Sequence, residues 1–460
     1  MGAKQKMPTG AGNVWSTIAA DPALGLLYLP TGSASPDYYG GMRPGEGRDA
    51  DSIVALEAKT GRKIWAFQLV HHDLWDYDVP SEPLLFTWHG NVPAVAVTTK
   101  MGMVFVFDRR TGTPLFSVEE RAVPKSDVEG EATSPTQPFS SLPPLSPLTM
   151  PTDGPNLQRG KADADFCREQ MAGLRYDGMY TPPSLKGSLQ FPGAVGGVNW
   201  GSAAYDPTSG ILYANTNRLP YFAQLIVRNP SFPARIMQEF ARARGLLVLG
   251  LLFVIGLILW LVLRKRRNLG WIGCLVMLVS MAAFFYGVSQ RRAKSLRFKL
   301  ETSVQYALRA MHVGFGQDFA PQYGAPYKLY RHPILDHHGL PCTPGLWGTV
   351  AALNLQTGKM VWQHVHGSQV PGKQTGSVSL GGVIVTAGGL VFSAGTREPL
   401  LRAYDAATGD ELWKGDLPVP AQATPMTYEL NGRQFVVIAA GGHGLWGTKI
   451  GDAVVAFALN

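Results

Sequence analysis

The stretches ALNLQTGKMVW, residues 352–362, and AYDAATGDELW, residues 403–413, follow one pattern. Each contains an apolar run, an acidic or polar residue, a Thr-Gly pair and a second run that closes on a tryptophan. The glycine supplies the left-handed backbone angles that a tight turn needs, and the large aromatic side chain fills the space against a neighbouring unit. The pattern therefore predicts two strands joined by a turn. The closing tryptophans, Trp362 and Trp413, are 51 residues apart.

The same pattern occurs twice more near the start of the chain. ALEAKTGRKIW spans residues 55–65 and VFDRRTGTPLF spans residues 106–116, so their closing aromatic residues are also 51 positions apart. Looser versions are AADPALGLLY at residues 19–28 and AYDPTSGILY at residues 204–213. A repeat of about fifty residues with this strand-turn-strand content is typical of β-propeller blades. The sequence thus predicts an all-β fold.

The composition agrees with many short strands joined by turns. The 460 residues include 53 Gly and 34 Pro, which interrupt the chain more often than a helical bundle allows. The three cysteines, Cys167, Cys274 and Cys342, show neither a disulfide framework nor the spacing of a metal site. No disulfide is therefore predicted, and the cysteines do not indicate whether the protein works in an oxidising or a reducing compartment.

The net charge of +8 is concentrated in one segment. Residues 222–300 contain thirteen Lys or Arg residues and one acid, Glu239, so the rest of the chain is net negative. The same segment carries two apolar runs, residues 245–263 and 269–288, without a charged residue in either. At about 1.5 Å per residue, a helix of this length matches the hydrocarbon core of a bilayer. We therefore expect an inserted transmembrane hairpin and no nucleic-acid-binding surface.

The charges around this hairpin leave its orientation open. The link RKRRN, residues 264–268, carries four positive charges, which favours a cytoplasmic link. The outer flanks, residues 235–244 and 291–299, carry eight, which by the positive-inside rule favours cytoplasmic flanks instead. Because the two helices are antiparallel, both flanks emerge on the same side of the membrane.

The segment HHDLWDYDVP, residues 71–80, holds more ionisable side chains than a turn requires. An acid such as Asp76, held in a rigid loop beside Trp75, loses contact with water, and this raises its pKa towards that of a general base. A turn-capping role is the alternative for Asp76. The neighbouring ionisable residues are expected to support the loop by packing, capping or hydrogen bonding; they are His71, His72, Asp73 and Asp78.

Several longer stretches together resemble one enzyme family. They include GNVWSTIAADPALGLLYLPTGSASPDYYGG, HHDLWDYDVP, TTKMGMVFVFDRRTG, NWGSAAYDPTSGILYANTN and GGHGLWGTKIGDAVVAFAL, and they cover residues 12–217 and about 322–460. In these stretches the chain resembles the quinoprotein dehydrogenases, eight-bladed β-propellers that bind pyrroloquinoline quinone (PQQ). It is most similar to the membrane-bound glucose, quinate and shikimate dehydrogenase branch. That branch usually carries its membrane helices at the N-terminus, so the internal hairpin departs from the pattern.

The resemblance also implies a domain organisation. Residues 1–221 form the first part of the propeller, residues 222–321 the inserted membrane hairpin, and residues 322–460 the closing part. About five to six blades are recognisable, so the opening blades of the family are missing from this chain. They are expected on another polypeptide, unless the chain is a truncated product.

The family's catalytic residues map onto two positions. Asp76 matches the aspartate that acts as general base, and Lys100 matches the cation that contacts the reactive quinone oxygens. An alcohol oxidation needs a base for the hydroxyl proton while hydride leaves the carbon for the quinone. A lysine that precedes a strand is otherwise usually solvated, so the role of Lys100 rests on the resemblance.

The remaining site predictions concern the cofactor and a metal ion. Trp15 matches the tryptophan that lies against the PQQ ring, with blade packing as its alternative. Asn217 matches an asparagine that donates to the cofactor, and Asn215 is the nearby competitor. Ser33 falls on a metal-ligand position where some relatives have Asn, so the resemblance implies Ca²⁺ or Mg²⁺ there. Other ligands would lie in the missing blades.

The resemblance implies an oxidoreductase. We expect a PQQ-dependent dehydrogenase that oxidises a sugar, cyclitol or polyol and passes electrons to membrane ubiquinone. Membrane lipid and a chain that supplies the missing blades are further expected partners. The location implied is the bacterial inner membrane, with the propeller facing the periplasm. The alternatives are a non-catalytic propeller that serves as an envelope scaffold, and a fragment without an independent fold.

Overall fold

The computed structural model describes most of the chain outside the basic segment. The described residues are 12–151, 160–227, 318–320, 322 and 324–458, together with five helical positions between residues 254 and 260. The chain divides into two compact units, Met1–Val227 with Gly314–Asn460, and Arg228–Val313.

The predicted transmembrane helices, residues 245–263 and 269–288, lie outside the described residues apart from those five positions. In the part of the chain that is described, no helix has the length and apolar character needed to cross a membrane. The hairpin therefore stays a prediction.

The first sheet is an antiparallel meander. It consists of β1 (Ala19–Asp21), β2 (Leu26–Pro30), β3 (Ser52–Glu57) and β4 (Lys63–Gln68), and each strand pairs with the next along the chain. Along β2 the side chains alternate between fully and partly buried, as expected when one face of a strand packs on a core. Tyr28 at its centre is completely buried.

Three more sheets have the same meander order, in which neighbours in sequence are neighbours in the sheet. They are β5 (Leu84–Trp88), β6 (Val92–Thr98) and β7 (Val104–Asp108); β18 (Val383–Val385), β19 (Leu390–Ser393), β20 (Leu400–Asp405) and β21 (Glu411–Asp416); and β22 (Met426–Leu430), β23 (Arg433–Ala440) and β24 (Ala453–Ala458). These sheets confirm the all-β prediction. The number of blades in the complete ring stays a prediction.

A fifth sheet is interrupted by a long insertion. Its strands are β11 (Ala203–Asp206), β12 (Ile211–Asn217), β16 (Gly348–Asn354) and β17 (Lys359–Val365). Strands β12 and β16 pair without a break along their whole length, from Ile211 opposite Asn354 to Asn217 opposite Gly348. Residues 218–347 therefore leave and re-enter the ring at one end of this sheet.

The insertion contributes a separate sheet of its own. β13 (Tyr221–Val227), β15 (Tyr327–Pro333) and β14 (Asp318–Ala320) pair in that order, and β10 (Ser188–Gln190) completes the sheet on the β13 side. Two smaller elements come before β10 in sequence. They are the hairpin of β8 (Val118–Ala122) with β9 (Thr136–Ser140), and helix α1 (Lys161–Met171).

The Thr-Gly turns and the closing aromatic residues join one sheet to the next. Gly112 has a φ of 76°, and a Cβ at that position would lie 2.6 Å from the ring of Trp65 in the preceding sheet. In the same way Phe116 packs on Gly358, and Trp362 packs on Gly409. The glycines are required both for the turn and for this close approach of an aromatic ring.

Hydrogen bonds strengthen two of these junctions. The indole Nε1 of Trp65 donates to the Arg109 carbonyl, and that of Trp362 donates to the Ala406 carbonyl, each at 3.0 Å. Trp65 and Trp362 are 8% and 7% exposed, whereas Trp413 at the last repeat is 39% exposed. The predicted aromatic contact between neighbouring units is confirmed for the earlier repeats.

The expectation that the cysteines form no disulfide was wrong. Cys167 in α1 and Cys342, which follows β15, are joined by a disulfide although they are 175 residues apart in sequence. Their spacing did not indicate this bond, because the chain between them contributes strands to two sheets before it comes back to α1. A cross-link of this span removes conformational entropy from the unfolded chain.

Candidate active site

The loop that follows β4 holds Asp76 in a fixed and unusual conformation. Asp76 has a φ of 60°, in the left-handed region that non-glycine residues rarely adopt, at a cost on the order of 1 kcal/mol. The adjacent Trp75 is 1% exposed, and its indole Nε1 donates to the Thr181 carbonyl at 2.8 Å. Its backbone N–H donates to Asp73 Oδ1 at 3.0 Å. Buried anchors on one side thus hold Asp76 in position.

Lys100 lies against this loop. It follows β6, and its Nζ donates to the Asp76 carbonyl at 2.7 Å and to Asp76 Oδ1 at 3.1 Å. The same Nζ donates to Asp78 Oδ2 at 2.9 Å. The Lys100 side chain is almost completely buried. The structure therefore brings together the two residues that were predicted to be catalytic, and adds Asp78 as a third member.

Arg331 completes the surroundings of the Asp76 carboxylate. Its Nη1 donates to Asp76 Oδ2 at 2.8 Å and to the Tyr38 hydroxyl at 2.7 Å. The guanidinium also lies over the Tyr38 ring, 5.2 Å from its centroid. Arg331 belongs to β15, so the insertion supplies it. Sequence reasoning missed this residue because no motif surrounds it and nothing local connects it with Asp76.

The environment of Asp76 makes it a stronger base than an ordinary aspartate. Burial raises the pKa of Asp76 to about 7, with a further contribution from the charge of Asp78, while the cations Lys100 and Arg331 act in the opposite direction. Each carboxylate oxygen of Asp76 accepts a hydrogen bond from a different cation, Oδ1 from Lys100 and Oδ2 from Arg331. The carboxylate is therefore oriented on both sides and titrates near neutral pH.

The other two charges of the cluster stay ionised. Burial on its own would lower the pKa of Lys100, but the carboxylates of Asp76 and Asp78 outweigh it and raise that pKa above its usual value. Burial would raise the pKa of Asp78, but the charge and hydrogen bond of Lys100 outweigh it and hold the pKa well below the usual range. Lys100 and Asp78 thus form a permanent ion pair beside the titrating Asp76.

The histidines of the loop have the supporting role expected for them. His72 Nδ1 faces the Gly45 carbonyl at 2.7 Å, and Nε2 faces Glu131 Oε1 at 3.0 Å. Burial would lower the pKa of His72, but these hydrogen bonds outweigh it and raise the pKa. His71 Nε2 contacts Glu120 Oε1 at 3.0 Å. Both imidazoles connect the loop to the segments that cover it.

Trp15 is placed differently from the blade-packing tryptophans. It is 43% exposed, and its ring lies close to Gly32, where a Cβ would approach it to 3.2 Å. The backbone N–H of the next residue, Ser33, donates to Asp78 Oδ1 at 2.5 Å. The exposed indole therefore lies beside the strand end that contacts the Lys100–Asp78 pair, and its role against a cofactor stays a prediction.

Asn217 and Asn215 are both buried and both occupied by protein partners. Asn217 Nδ2 donates to the Ser379 carbonyl, and its Oδ1 accepts from the Ser379 N–H, each at 2.7 Å. Asn215 Nδ2 donates to the Gly381 carbonyl at 2.8 Å and to Ser393 Oγ at 2.8 Å. Both amides thus connect their sheet to the following one. A donor role for Asn217 towards a cofactor stays a prediction.

Ser33 lies between two buried acids. Its Oγ is 2.9 Å from Asp51 Oδ1 and 2.6 Å from Asp73 Oδ2. A hydroxyl carries one hydrogen, so it can donate to only one of these carboxyl groups, and the other must donate a proton of its own. Burial, with a further contribution from the charges of Asp73 and Asp78, raises the pKa of Asp51 well above its usual value.

Ser33 was predicted to bind a metal ion, and its hydroxyl contacts two carboxyl groups. Among the residues that the structure describes, no group of three or more His, Cys, Asp or Glu side chains is placed to hold an ion. The Ca²⁺ or Mg²⁺ site stays a prediction, and no chemistry is derived through it.

The described residues do fit a flat, negatively charged organic cofactor. Lys100 is a buried cation, Arg331 is a second cation beside it, and Trp15 presents an exposed aromatic surface. An aromatic ring and cations are the groups that recognise such a molecule.

Comparison with known proteins agrees with this chemistry. The family model for the glucose/ethanol/alcohol dehydrogenase β-propeller domain, PQQ, matches residues 1–245 and 277–436. The chain is 36% identical to quinoprotein glucose dehydrogenase of Escherichia coli K12, over 97% of this chain and 49% of that protein. It is 34% identical to the glycerol dehydrogenase large subunit of Gluconobacter oxydans 621H, over 98% of this chain and 54% of that protein.

A third relative carries a different substrate in its name. Quinate/shikimate dehydrogenase (quinone) of Acinetobacter baylyi is 32% identical over 97% of this chain and 49% of that protein. The chain thus spans about half the length of the relatives it matches.

Solved structures support the fold. Quinohemoprotein alcohol dehydrogenase from Comamonas testosteroni aligns with a TM-score of 0.53 and 18% identity, over 98% of this chain and 48% of that chain. A europium-containing methanol dehydrogenase aligns with a TM-score of 0.53 and 19% identity, over 98% of this chain and 60% of that chain. With the family match, these alignments confirm the β-propeller. The chain belongs to the PQQ family of glucose, ethanol and alcohol dehydrogenase β-propeller domains.

Proposed function

We propose that the chain forms the catalytic part of a PQQ-dependent dehydrogenase that oxidises a hydroxyl group of a sugar, cyclitol or other polyol. The observation that carries the proposal is Asp76, a carboxylate with a pKa of about 7 held between Lys100 and Arg331. A general base is most effective when its pKa lies near the working pH. An ordinary surface aspartate, with a pKa near 4, is too weak for this role.

Asp76 is the group that takes the substrate's hydroxyl proton. Near pH 7 a large part of Asp76 is ionised, and it is still basic enough to accept a proton at Oδ1 or Oδ2. The quinone, when bound, supplies the two-electron acceptor for the hydride that leaves the same carbon. Arg331 and Lys100 keep both carboxylate oxygens oriented, so the base does not rotate away.

Lys100 keeps its charge throughout this step. When Asp76 becomes neutral, Asp78 still pairs with Lys100 at 2.9 Å. The ammonium group then has one anionic partner fewer and would stabilise negative charge on a bound quinone. The residues that would hold the cofactor are Lys100, Trp15 and Asn217.

The complete ring and its location belong to the same proposal. Residues 1–221 and 322–460 form propeller segments, residues 222–321 form a membrane hairpin, and the remaining blades come from a further segment or chain. Ubiquinone in the membrane is the proposed electron acceptor.

We place both propeller segments on the periplasmic side and the link 264–268 in the cytoplasm. The disulfide between Cys167 and Cys342 supports this, because such bonds persist in oxidising compartments. A cysteine introduced into the link is expected to resist a membrane-impermeant thiol reagent in intact spheroplasts. Labelling there would overturn the orientation and leave the enzymatic proposal in place.

The test of function combines binding and turnover. PQQ is titrated into the purified chain with Ca²⁺ or Mg²⁺ while tryptophan fluorescence is followed, and dye reduction is then measured with glucose, glycerol and quinate. Saturable quenching at micromolar PQQ and turnover of at least one substrate are expected. Quenching without turnover of any substrate would favour a non-catalytic propeller, and no saturable quenching would refute the cofactor.

A further inference from the structure

Arg218 is a partly buried cation that the proposed mechanism does not use. Its Nε is buried and, within the described residues, has no hydrogen-bond partner. Burial lowers the pKa of Arg218, and no carboxylate of the described residues offsets this effect. A guanidinium is rarely taken out of water without an anionic partner. The buried Nε and the lack of an anionic partner among the described residues point to an anion that binds from outside the chain.

The backbone of Arg218 is fixed on both sides. Its N–H donates to the Trp347 carbonyl at 3.0 Å, and its carbonyl accepts from Thr343 Oγ at 2.9 Å. Trp347 and Thr343 are themselves completely buried. The start of the side chain is therefore held at a defined place, as required of a residue that recognises a ligand.

Arg218 lies at the same edge of the propeller as Lys100. The Gly197 N–H donates to the Lys100 carbonyl at 2.6 Å, and the Asn217 N–H donates to the Gly197 carbonyl at 2.8 Å. Two hydrogen bonds therefore connect the backbone of Lys100 to the residue before Arg218. Gly196 packs directly on Lys100, where a Cβ would lie 2.7 Å from its Cα. A ligand that contacts Lys100 is thus within reach of the neighbouring strand end.

We propose that the Arg218 guanidinium binds a carboxylate of the small molecule that occupies this site. Arginine presents paired N–H donors that match the two oxygens of a carboxylate. The proposal rests on the proposed function for the identity of the two candidate ligands. One is PQQ, a tricarboxylated quinone, and the other is a carboxylated substrate such as a cyclitol acid. The shared chemistry is a carboxylate beside the reacting centre.

The test uses Arg218→Met, which keeps the apolar stem and removes the charge, and Arg218→Lys, which keeps the charge. Arg110→Met is the matched control. Lys100 precedes β7, whereas Arg110 follows it and pairs with Asp108 on the surface. Dissociation constants are measured by tryptophan fluorescence for PQQ, and in the PQQ-loaded chain for quinate and for myo-inositol, a neutral cyclitol.

Loss of a charge-assisted pair is expected to weaken binding at least about tenfold. If the cofactor is the source of the carboxylate, Arg218→Met weakens PQQ binding to this extent. If the substrate is the source, PQQ binding is unchanged, and quinate binding falls while myo-inositol binding does not. Arg218→Lys is expected to lose less binding affinity in either case, and Arg110→Met is expected to lose none.

Three results would overturn the proposal. They are wild-type affinity of Arg218→Met for both PQQ and quinate, unchanged PQQ affinity with equal losses for quinate and myo-inositol, and a wild-type chain that binds neither carboxylate. The melting temperature of each variant is recorded, so unfolding is separated from loss of a contact. If the wild-type chain binds PQQ and quinate but turns over no substrate, the enzymatic proposal fails and the role of Arg218 is still decided by the binding data.

Discussion

Arg331 Nη1 lies 2.8 Å from Asp76 Oδ2, although the two residues are 255 positions apart in sequence. The contact joins a strand of the insertion to the loop that holds the candidate base. It defines the acid-base properties of the site, because Arg331 is one of two cations that oppose the effect of burial on the pKa of Asp76.

Replacing Arg331 by Met is expected to move the pH dependence of turnover. Arg331 favours the ionised form of Asp76, so its removal raises the pKa of Asp76 above about 7. The acidic limb of the kcat profile then shifts to higher pH, by roughly one pH unit. Arg331→Lys restores the charge and is expected to bring the limb back towards its original position. A profile that does not move in Arg331→Met would show that this arginine acts only in packing.

Asp76→Asn is expected to leave PQQ affinity nearly unchanged and to lower kcat by roughly a hundredfold or more. The side chains are nearly isosteric, and the amide cannot accept the hydroxyl proton. Fluorescence titration checks the first part and dye reduction the second. His89→Asn, at an exposed turn next to β5, is the control for an unrelated change. Near-normal kcat in Asp76→Asn would assign this residue to capping of the loop.

Gly112→Ala and Gly61→Ala separate the two requirements of the Thr-Gly turn. Both glycines have a φ near 75°, at 76° and 73°. A Cβ at Gly61 meets no atom within 4 Å, whereas a Cβ at Gly112 meets the Trp65 ring at 2.6 Å. We expect Gly61→Ala to cost about 1 kcal/mol and Gly112→Ala about 1–3 kcal/mol more, from the backbone and from overpacking respectively.

Urea unfolding of the two glycine variants, side by side, measures the difference. Equal losses in the free energy of unfolding would mean that only the backbone angle matters. The aromatic contact between sheets would then contribute nothing to the requirement for glycine.

Removing the disulfide is expected to destabilise the propeller unit without changing the surroundings of Asp76. Cys167→Ser and Cys342→Ser should each lower the free energy of unfolding by about 2–5 kcal/mol, and the double variant by no more than either single one. Cys274→Ser is the control. A reductant should lower the melting temperature of the wild-type chain to that of the variants, and insensitivity to the reductant would argue against the bond.

Residue patterns within about ten positions determined the strands, the turns and the chemistry of the loop at residues 71–80. The Thr-Gly turns and closing aromatic residues indicate propeller units because a positive φ and a ring in the next sheet both act at short range, and Gly112 and Gly409 bear this out. The ionisable cluster around Asp76 was also visible because its members are close in sequence. Asp76 and Lys100 were paired through family resemblance, and the structure places them 3.1 Å apart.

The tertiary structure alone decided which distant residues meet. The insertion between Asn217 and Gly348 brings β15 against the loop of Asp76 and places Cys342 on α1, and no pattern in the sequence encodes the path of that segment. Burial is equally a property of the folded chain. Asp76 and Arg218 have ordinary side chains, and their unusual pKa values arise because the packed sheets exclude water from a charge that the unfolded chain would leave hydrated.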